Sequence, residues 1–164
     1  MNMLSKTLNP YKMRKTAFIL TLSFLLGQLV LTGCTTEAAT ETALIIDIKE
    51  IAGKSLAEVE QVLSKSEAQE TVTGYPCKNI DCTRNHFQNG KYEIIFREGV
   101  ANRITINNTP DLSSTESAIT ALGLPNSNAT FANPNTVMRW NNVAGLDEVA
   151  FFTDYVLVQV TKAE

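Results

Sequence analysis

An apolar run near the N-terminus limits which part of this 164-residue chain can form the folded domain. The run extends from Ala17 to Leu31 and follows three basic residues, Lys12, Arg14 and Lys15. A basic start, a short apolar stretch and then small residues are typical of a secretory signal peptide. Polar residues interrupt the stretch before it is long enough to favour a transmembrane helix. We therefore expect the residues that follow it to fold after export.

The apolar run ends in the tetrapeptide LTGC, whose cysteine is Cys34, and this tetrapeptide has the form of a lipobox. The N-terminal region resembles that of bacterial lipoprotein precursors. The resemblance implies that residues 1–33 are removed and that Cys34 becomes an N-terminus carrying a diacylglycerol thioether and fatty acyl chains such as palmitate. The alternative is an ordinary signal peptide with a chance cysteine. Met13 begins a more typical signal peptide than Met1 does, so the true start is open.

The residues that follow Cys34 indicate where the protein is expected to be located. Residues 34–43 are small and polar, which predicts an acylated N-terminus and a short tether between lipid and domain. Thr35 stands where a retained lipoprotein of a two-membrane bacterium has aspartate. That resemblance implies an outer-membrane lipoprotein facing the periplasm. In a one-membrane bacterium, the same protein would lie on the outer face of the plasma membrane.

Removal of residues 1–33 leaves an acidic chain. All 17 Asp and Glu residues follow Cys34, whereas only 10 of the 14 Lys and Arg residues do, so the mature net charge is −7. This balance lacks the basic footprint of a nucleic-acid-binding protein and offers no attraction to anionic lipid. We expect attachment to the lipid bilayer through acylated Cys34, an envelope protein as partner, and no nucleic acid.

Two cysteines remain in the mature chain, Cys77 and Cys82, with four residues between them. An exported protein meets an oxidising compartment, so a local structural disulfide is predicted. The alternatives are a redox pair, which usually has two intervening residues, and half of a metal site. No second cysteine pair is present, and His86 is the only histidine that could complete a zinc shell. We expect no metal and no cofactor.

Helical and strand patterns alternate twice along residues 44–164. They predict a single α+β domain of two similar units, at about 55–106 and 113–161. Each unit is predicted to contain one helix and three strands (αβββ-αβββ), with both helices packed on one face of an antiparallel sheet. The similarity of the two patterns favours an internal duplication, and independent convergence on ordinary patterning is the alternative.

Both helices are predicted from the same capping pattern. Ser55 and Glu58 form a capping box ahead of an apolar stripe in the first unit. Ser113 and Glu116 repeat this spacing in the second unit, and Gly123 has the position of a residue that ends a helix. These signals predict one α-helix at the start of each unit.

Alternation along the strands separates two faces of the sheet. The core face is predicted to carry Tyr92, Ile94, Phe96, Ile104, Ile106, Val149, Phe151, Val156, Val158 and Val160. The opposite face is predicted to carry Glu93, Ile95, Arg97, Arg103, Thr105, Glu148, Ala150, Phe152, Leu157 and Gln159. This second face is polar with several apolar members, as expected of a sheet that is covered on one side.

The tandem helix-and-sheet pattern resembles that of the β-lactamase inhibitory protein family. A lipobox followed by the helix start Gly53-Lys54-Ser55 and antiparallel strands is similar to the SmpA/OmlA-type small lipoproteins of outer-membrane assembly. Both likenesses cover roughly Ile51 to Val160 and concern architecture, so neither implies a functional residue. The first likeness adds inhibition of an enzyme as an alternative function.

One segment of the second unit has a composition typical of protein interfaces. It holds the only tryptophan, Trp140, next to Arg139 and close to Met138. Trp, Met and Arg are enriched at interface centres, so these three are candidate partner-binding residues. The favoured alternative is that Trp140 fills the core, as Phe87 is expected to do in the first unit.

Residues for catalysis are scarce. A Ser-His-Asp or Cys-His arrangement would have to use His86, the only histidine. We therefore predict no catalytic residue, and a non-enzymatic, membrane-anchored envelope lipoprotein that acts as a protein-binding or scaffold module. Ile95, Phe152 and Leu157 are further candidates for binding the partner. The alternative is an envelope hydrolase or thiol-redox protein that uses His86 or the Cys77/Cys82 pair.

Overall fold

A single antiparallel sheet of eight strands dominates the structure, a computed structural model that describes residues 42–74, 77–78 and 80–160. In chain order the strands are β1 (Ala68–Thr71), β2 (Cys82–Phe87), β3 (Tyr92–Arg97), β4 (Val100–Asn107), β5 (Phe131–Asn133), β6 (Val137–Val143), β7 (Leu146–Phe152) and β8 (Tyr155–Val160). They lie in the order β1-β2-β3-β4-β8-β7-β6-β5, so two four-stranded meanders meet at the β4–β8 pair.

In the described part of the chain, one α-helix and two short 3₁₀-helices accompany the sheet. The α-helix, α1, spans Leu56–Leu63, and the 3₁₀-helices span Ile48–Glu50 and Ala118–Leu122. Buried side chains from all three pack into one core against the same face of the sheet. We call these three helices, together with residues 42–47, the helix layer.

Several predicted features lie outside the described residues. The signal peptide, Cys34 and the tether as far as residue 41 are among them. The described residues belong to one compact unit that spans residues 39–164. Within the described ranges, no helix is long and apolar enough to cross a bilayer.

The predicted αβββ-αβββ arrangement is wrong. The structure is mostly strand, each half of the sheet has four strands, and α1 is the only α-helix among the described residues. In the second half, the predicted helix is replaced by the five-residue 3₁₀-helix Ala118–Leu122. The fold class is therefore a mainly-β sheet with a thin helix layer, and not a tandem α+β domain.

The second capping pattern does not form a capping box, and Ser113 bonds to Asp111 in a turn ahead of the 3₁₀-helix. The hydroxyl and the backbone N–H of Ser113 both donate to Oδ1 of Asp111, over 2.6 and 3.0 Å. This bonding lowers the pKa of the Asp111 carboxyl, chiefly through the Ser113 hydroxyl. Serine and aspartate that bond nearby backbone in this way favour turns over helices. Gly123 nevertheless ends the short 3₁₀-helix in the left-handed conformation, as predicted.

The first capping box is present as predicted. The backbone N–H of Ser55 donates to Oε2 of Glu58 over 2.9 Å, and the N–H of Glu58 donates to the Ser55 hydroxyl over 3.4 Å. Hydrogen bonds from the Ser55 side chain and then its backbone lower the pKa of the Glu58 carboxyl. The box sets the start of α1 at Leu56, and Val59 and Leu63 carry its apolar stripe into the core.

The two edge strands have no hydrophobic signal in the sequence. All residues of β1 and of β5 are exposed, and neither strand shows an alternation of buried and exposed positions. Their backbones pair with β2 and β6 respectively, so hydrogen bonds of the ladder hold them at the edges. Strand prediction from periodicity misses such segments, because periodicity reports burial and not pairing.

The predicted core face is confirmed. Nine of its ten residues are buried, and Val160 is partly buried against the same cluster. Phe87 and Trp140 are both fully enclosed and occupy the core in the first and second halves of the sheet. The alternation of β3, β4, β7 and β8 was therefore sufficient to assign their faces.

Candidate functional site on the outer face

The face of the sheet opposite the helix layer is the candidate site, and we call it the outer face. Cross-strand pairing arranges its side chains in rows that run across the sheet. One row consists of Arg84, Ile95, Arg103, Gln159, Glu148 and Asn141. The next row consists of His86, Glu93, Thr105, Leu157, Ala150 and Arg139. Most of these side chains are half-buried by their neighbours on the same face.

The distribution of positive charge distinguishes this face from the rest of the surface. Every arginine after Cys34 lies on it, namely Arg84, Arg97, Arg103 and Arg139. The eight strands contain no lysine; the described lysines lie in the helix layer, in loops and in turns. Arginine presents a planar, rigid set of donors and is enriched at protein interfaces, whereas lysine is depleted there. The basic residues of the outer face are therefore all arginine, the basic residue that is enriched at protein interfaces.

In the first half, Arg84 joins two carboxylates. Its Nη1 lies 2.9 Å from Oε1 of Glu70, and its Nε lies 3.1 Å from Oε1 of Glu93. His86 Nε2 lies 3.9 Å from the same Glu70 oxygen. All four side chains are about one-third to one-half exposed, so each pair is worth at most about 1 kcal/mol. The network orients Arg84 more than it stabilises the fold.

In the second half, Arg139 is positioned in a similar way. Its Nε lies 3.2 Å from Oε2 of Glu148, on the neighbouring strand β7. The guanidinium carbon also lies 5.9 Å from the ring centroid of Phe131, on the edge strand β5. Phe131 is half exposed. Arg139 is thus held between a carboxylate and an exposed aromatic ring at the side of the outer face.

A shallow depression lies on the outer face between β4, β6, β7 and β8. Its volume is about 360 Å³, and its lining residues are Arg103, Asn141, Asp147, Glu148, Leu157 and Gln159. A bulge in the β3–β4 ladder leaves Asn102 without a cross-strand partner there, and its side chain is buried. Gln159 Nε2 donates to Asn102 Oδ1 over 2.9 Å and to its backbone oxygen over 3.2 Å. The lining therefore offers hydrogen-bond donors and acceptors, and charged groups of both signs, around one apolar side chain, Leu157.

Two aromatic rings of the outer face lie next to this depression, on β7 and β8. Phe152 and Tyr155 are stacked, with ring centroids 4.4 Å apart and planes at 12°. Both are partly exposed, as is Leu157. Phe152 and Leu157 were predicted to be partly accessible, and the structure confirms that prediction.

Ile95 was predicted to be accessible as well, and that prediction is wrong. The side chain is only 5% exposed, although it lies on the outer face between Arg84 and Arg103. It packs in a small separate cluster with Cys77, Cys82 and Val72. The segment that carries the disulfide therefore folds over this corner of the face, which strand alternation could not reveal.

The predicted disulfide between Cys77 and Cys82 is present in the structure, with their Cα atoms 5.9 Å apart. Both cysteines are buried. Burial next to Ile95 is the environment of a structural disulfide, since reactive cysteines are partly exposed in electropositive surroundings.

Removal of this disulfide should have a moderate effect. We expect the double variant Cys77→Ser/Cys82→Ser to lose about 2 kcal/mol of unfolding free energy, the value for closing so short a loop. Urea unfolding followed by circular dichroism measures the loss. Lys78→Ala, an exposed change inside the same loop, is the matched control and should cost less than about 0.5 kcal/mol. Two free thiols in protein isolated from its native host without reductant would contradict the assignment.

Trp140 and Met138 do not belong to the outer face. Trp140 is 1% exposed and packs edge-on against Phe151, with ring centroids 5.8 Å apart. Its Nε1–H donates to the backbone oxygen of Ser127 over 2.8 Å. Met138 is buried in the same core. Of the three interface candidates in this segment, only Arg139 is accessible, and the interpretation of Trp140 as a core residue is confirmed.

The geometry gives little support to the alternatives that involve catalysis. His86 is a strand residue of the outer face whose nearest charged partner is the Glu70 carboxylate. Among the described residues, no group of three or more His, Cys, Asp and Glu side chains is arranged to hold a metal ion. The strand residue Arg84 was missed as a site residue because β2 was not assigned to a face, although alternation with Phe87 would have placed it.

Comparison of the chain with protein-family models, with curated proteins and with solved structures finds no match.

Proposed function

We propose that the protein is a non-enzymatic, lipid-anchored envelope lipoprotein whose outer face binds another protein. The main support is the placement of all four arginines of the mature chain on the one face of the sheet that the helix layer leaves uncovered. Oriented arginines, a stacked aromatic pair and the half-buried Leu157 are the components of an interface centre. The lipobox at Cys34 supports the location, through its resemblance to bacterial lipoprotein precursors.

Buried cysteines give no support to a thiol-redox function. Cys77 is fully buried and Cys82 nearly so, which leaves no accessible sulfur for exchange with a partner thiol. His86 lies beside the Glu70 carboxylate in the Arg84 ion-pair network, and this position likewise gives no support to a hydrolase. Enzyme inhibition is one form of protein binding, and the experiment below would identify an enzyme as the partner if that form applies.

Site-specific photo-crosslinking in the native envelope tests the proposal. A photoreactive phenylalanine analogue at Leu157, in the middle of the outer face, should give one defined protein adduct, identified by mass spectrometry. The same analogue at Val62, an exposed apolar residue of α1, is the matched control and should give none. Adducts of equal yield at both positions, or no adduct at either, would contradict binding through the outer face.

Substitution of the accessible apolar residues should separate binding from stability. We expect Phe152→Thr and Leu157→Thr each to lower the unfolding free energy by about 1–2 kcal/mol, less than a core substitution, because both side chains are only partly buried and Phe152 loses its stacking on Tyr155. Both should reduce the yield of the adduct, with the crosslinker then placed at Thr105. Ile95→Thr is the contrasting variant, and it should cost more stability because Ile95 is buried under the disulfide. A large stability loss from Leu157→Thr would indicate that this face is covered in the folded protein.

A further inference from the structure

The charges of two rows of the outer face have opposite signs on the two sides of β8. In one row, Arg103 on β4 and Glu148 on β7 flank β8 at a distance of one strand each. In the next row, Glu93 on β3 and Arg139 on β6 lie two strands from β8, on either side of Leu157. Each of these positive charges is therefore matched, in the same row and at the same distance from β8, by a negative charge on the other side.

A pattern of this kind is complementary to a second copy of itself. In a two-fold symmetric dimer, the same surface patch of both copies forms the contact. A two-fold axis that runs along β8, in the plane between two stacked outer faces, keeps the rows and exchanges the two sides of β8. It places Arg103 of each copy opposite Glu148 of the other, and Glu93 of each copy opposite Arg139 of the other. Each of these pairs of opposite charges then forms twice in one interface.

We propose that the protein partner of the outer face is a second copy of this chain, bound face to face about a two-fold axis along β8. The inference rests on the proposed function, because it names the partner of the same face. Tyr155 and Leu157 lie on β8 itself, so each meets its counterpart at the axis, and together they supply the apolar centre of the contact. The ion pairs on either side set the register of one sheet on the other.

The reach of the charged side chains allows for the usual rotation between packed sheets. Stacked sheets lie about 10 Å apart and cross at about 30°, which displaces a residue two strands from the axis by about 5 Å. Arg139 and Glu93 are long side chains, and each is about one-third exposed. Arg103 and Glu148 lie only one strand from the axis, so their displacement is half as large. The charge pairs therefore remain within reach when the two sheets are twisted.

The shape of the face is complementary in the same arrangement. Ile95 lies in the row of Arg103, two strands from β8, and Cys77 packs over it. The position at the same distance on the other side of β8 is that of Asn141, which is exposed and lines the depression of about 360 Å³. The two-fold axis therefore sets the covered corner of each copy against the depression of the other.

The size of the face is sufficient for a specific dimer. Eight strands that are about 4.8 Å apart and about 5–6 residues long give a face of roughly 38 by 18 Å, or about 700 Å² per copy. Two such faces bury about 1,400 Å² in total, which lies within the range of about 1,200–2,000 Å² for specific protein interfaces.

Two charge reversals that complement each other test the arrangement. Arg139→Glu sets carboxylates of the two copies opposite each other, and Glu93→Arg sets guanidinium groups opposite each other. We expect each variant alone to dimerise at least about tenfold more weakly than the wild type, because like charges in an interface repel. A 1:1 mixture of the two variants should recover the wild-type affinity, since in mixed dimers opposite charges meet again at both places. Sedimentation velocity of the purified protein in mild detergent measures the dissociation constants.

Lys65→Glu is the matched control. Lys65 is an exposed cation just after α1 that lies 2.8 Å from Glu60, so its reversal also removes an ion pair, but away from the outer face. Self-association of this variant should equal that of the wild type. The proposal would be overturned by wild-type protein that stays monomeric at every concentration, by reversal variants that associate as the wild type does, or by a mixture that associates no more strongly than its components.

The adduct from the photoreactive residue at Leu157 separates this inference from the proposed function on which it rests. An adduct of twice the mass of the chain, attached at β8 of the second copy, would support both. An adduct with a different protein would support binding through the outer face and overturn a second copy as the partner. The absence of any adduct at Leu157 would contradict both.

Discussion

Replacement of Trp140 by alanine is expected to destabilise the domain by about 3–5 kcal/mol, the range for removing a large aromatic ring from a core. The ring is 1% exposed, and its loss leaves a cavity beside Phe151. The backbone oxygen of Ser127 loses its donor as well. Urea unfolding of the mature, non-lipidated protein, followed by circular dichroism, measures the difference in unfolding free energy.

Trp140→Phe is the matched control. It keeps an aromatic ring against Phe151 and removes the indole N–H, so we expect a smaller loss of about 1–3 kcal/mol. Phe87→Ala, in the other half of the sheet, should cost as much as Trp140→Ala because Phe87 is equally enclosed. A Trp140→Ala protein that is fully stable but no longer gives the Leu157 adduct would show that the tryptophan belongs to the interface.

Replacement of Cys34 by alanine is expected to abolish membrane attachment. Residues 34–164 have a net charge of −7, so the chain that would remain after the proposed cleavage offers no electrostatic attraction that could replace acyl chains. The variant should appear in the soluble fraction after cleavage, or else accumulate as the unprocessed precursor. Fractionation of the envelope and intact mass together distinguish these two outcomes.

Thr35→Asp is the control for this experiment. It leaves Cys34 available for the proposed acylation, so the protein should stay bound to membrane, and in a two-membrane host it should move from the outer to the inner membrane. A cleaved Cys34→Ala protein that still sediments with membranes would mean that the LTGC tetrapeptide is not the attachment site.

The difference between the two predicted helices shows the limit of helix prediction from local capping patterns. Ser55 and Ser113 stand in the same pattern, yet only Ser55 caps an α-helix. Asp111 lies two residues before Ser113 and takes both of its donors. In the second half, Asp111 accepts the backbone N–H that a capping box would give to Glu116, so the outcome of the pattern depends on the turn geometry in which the segment is held.

Strand alternation was the most informative part of the sequence. Side chains of a strand point alternately to its two faces, so β3, β4, β7 and β8 could be assigned to faces without knowledge of their partners. The placement of Arg97, Arg103, Phe152 and Leu157 on the outer face follows from that rule, and so does the enclosed core. The local disulfide between Cys77 and Cys82 was predicted from their spacing and from the expectation of export, and it is present in the structure.

Long-range packing accounts for the features that local patterns could not supply. Ile95 obeys the alternation and faces outward, but the segment that bears the disulfide covers it, and no periodicity records a contact between a strand and a distant loop. The edge strands β1 and β5 form by backbone pairing with β2 and β6, and such pairing produces no pattern of apolar residues in the sequence. The gathering of four arginines from four strands depends on strand order and register, and these result from the assembly of the whole sheet.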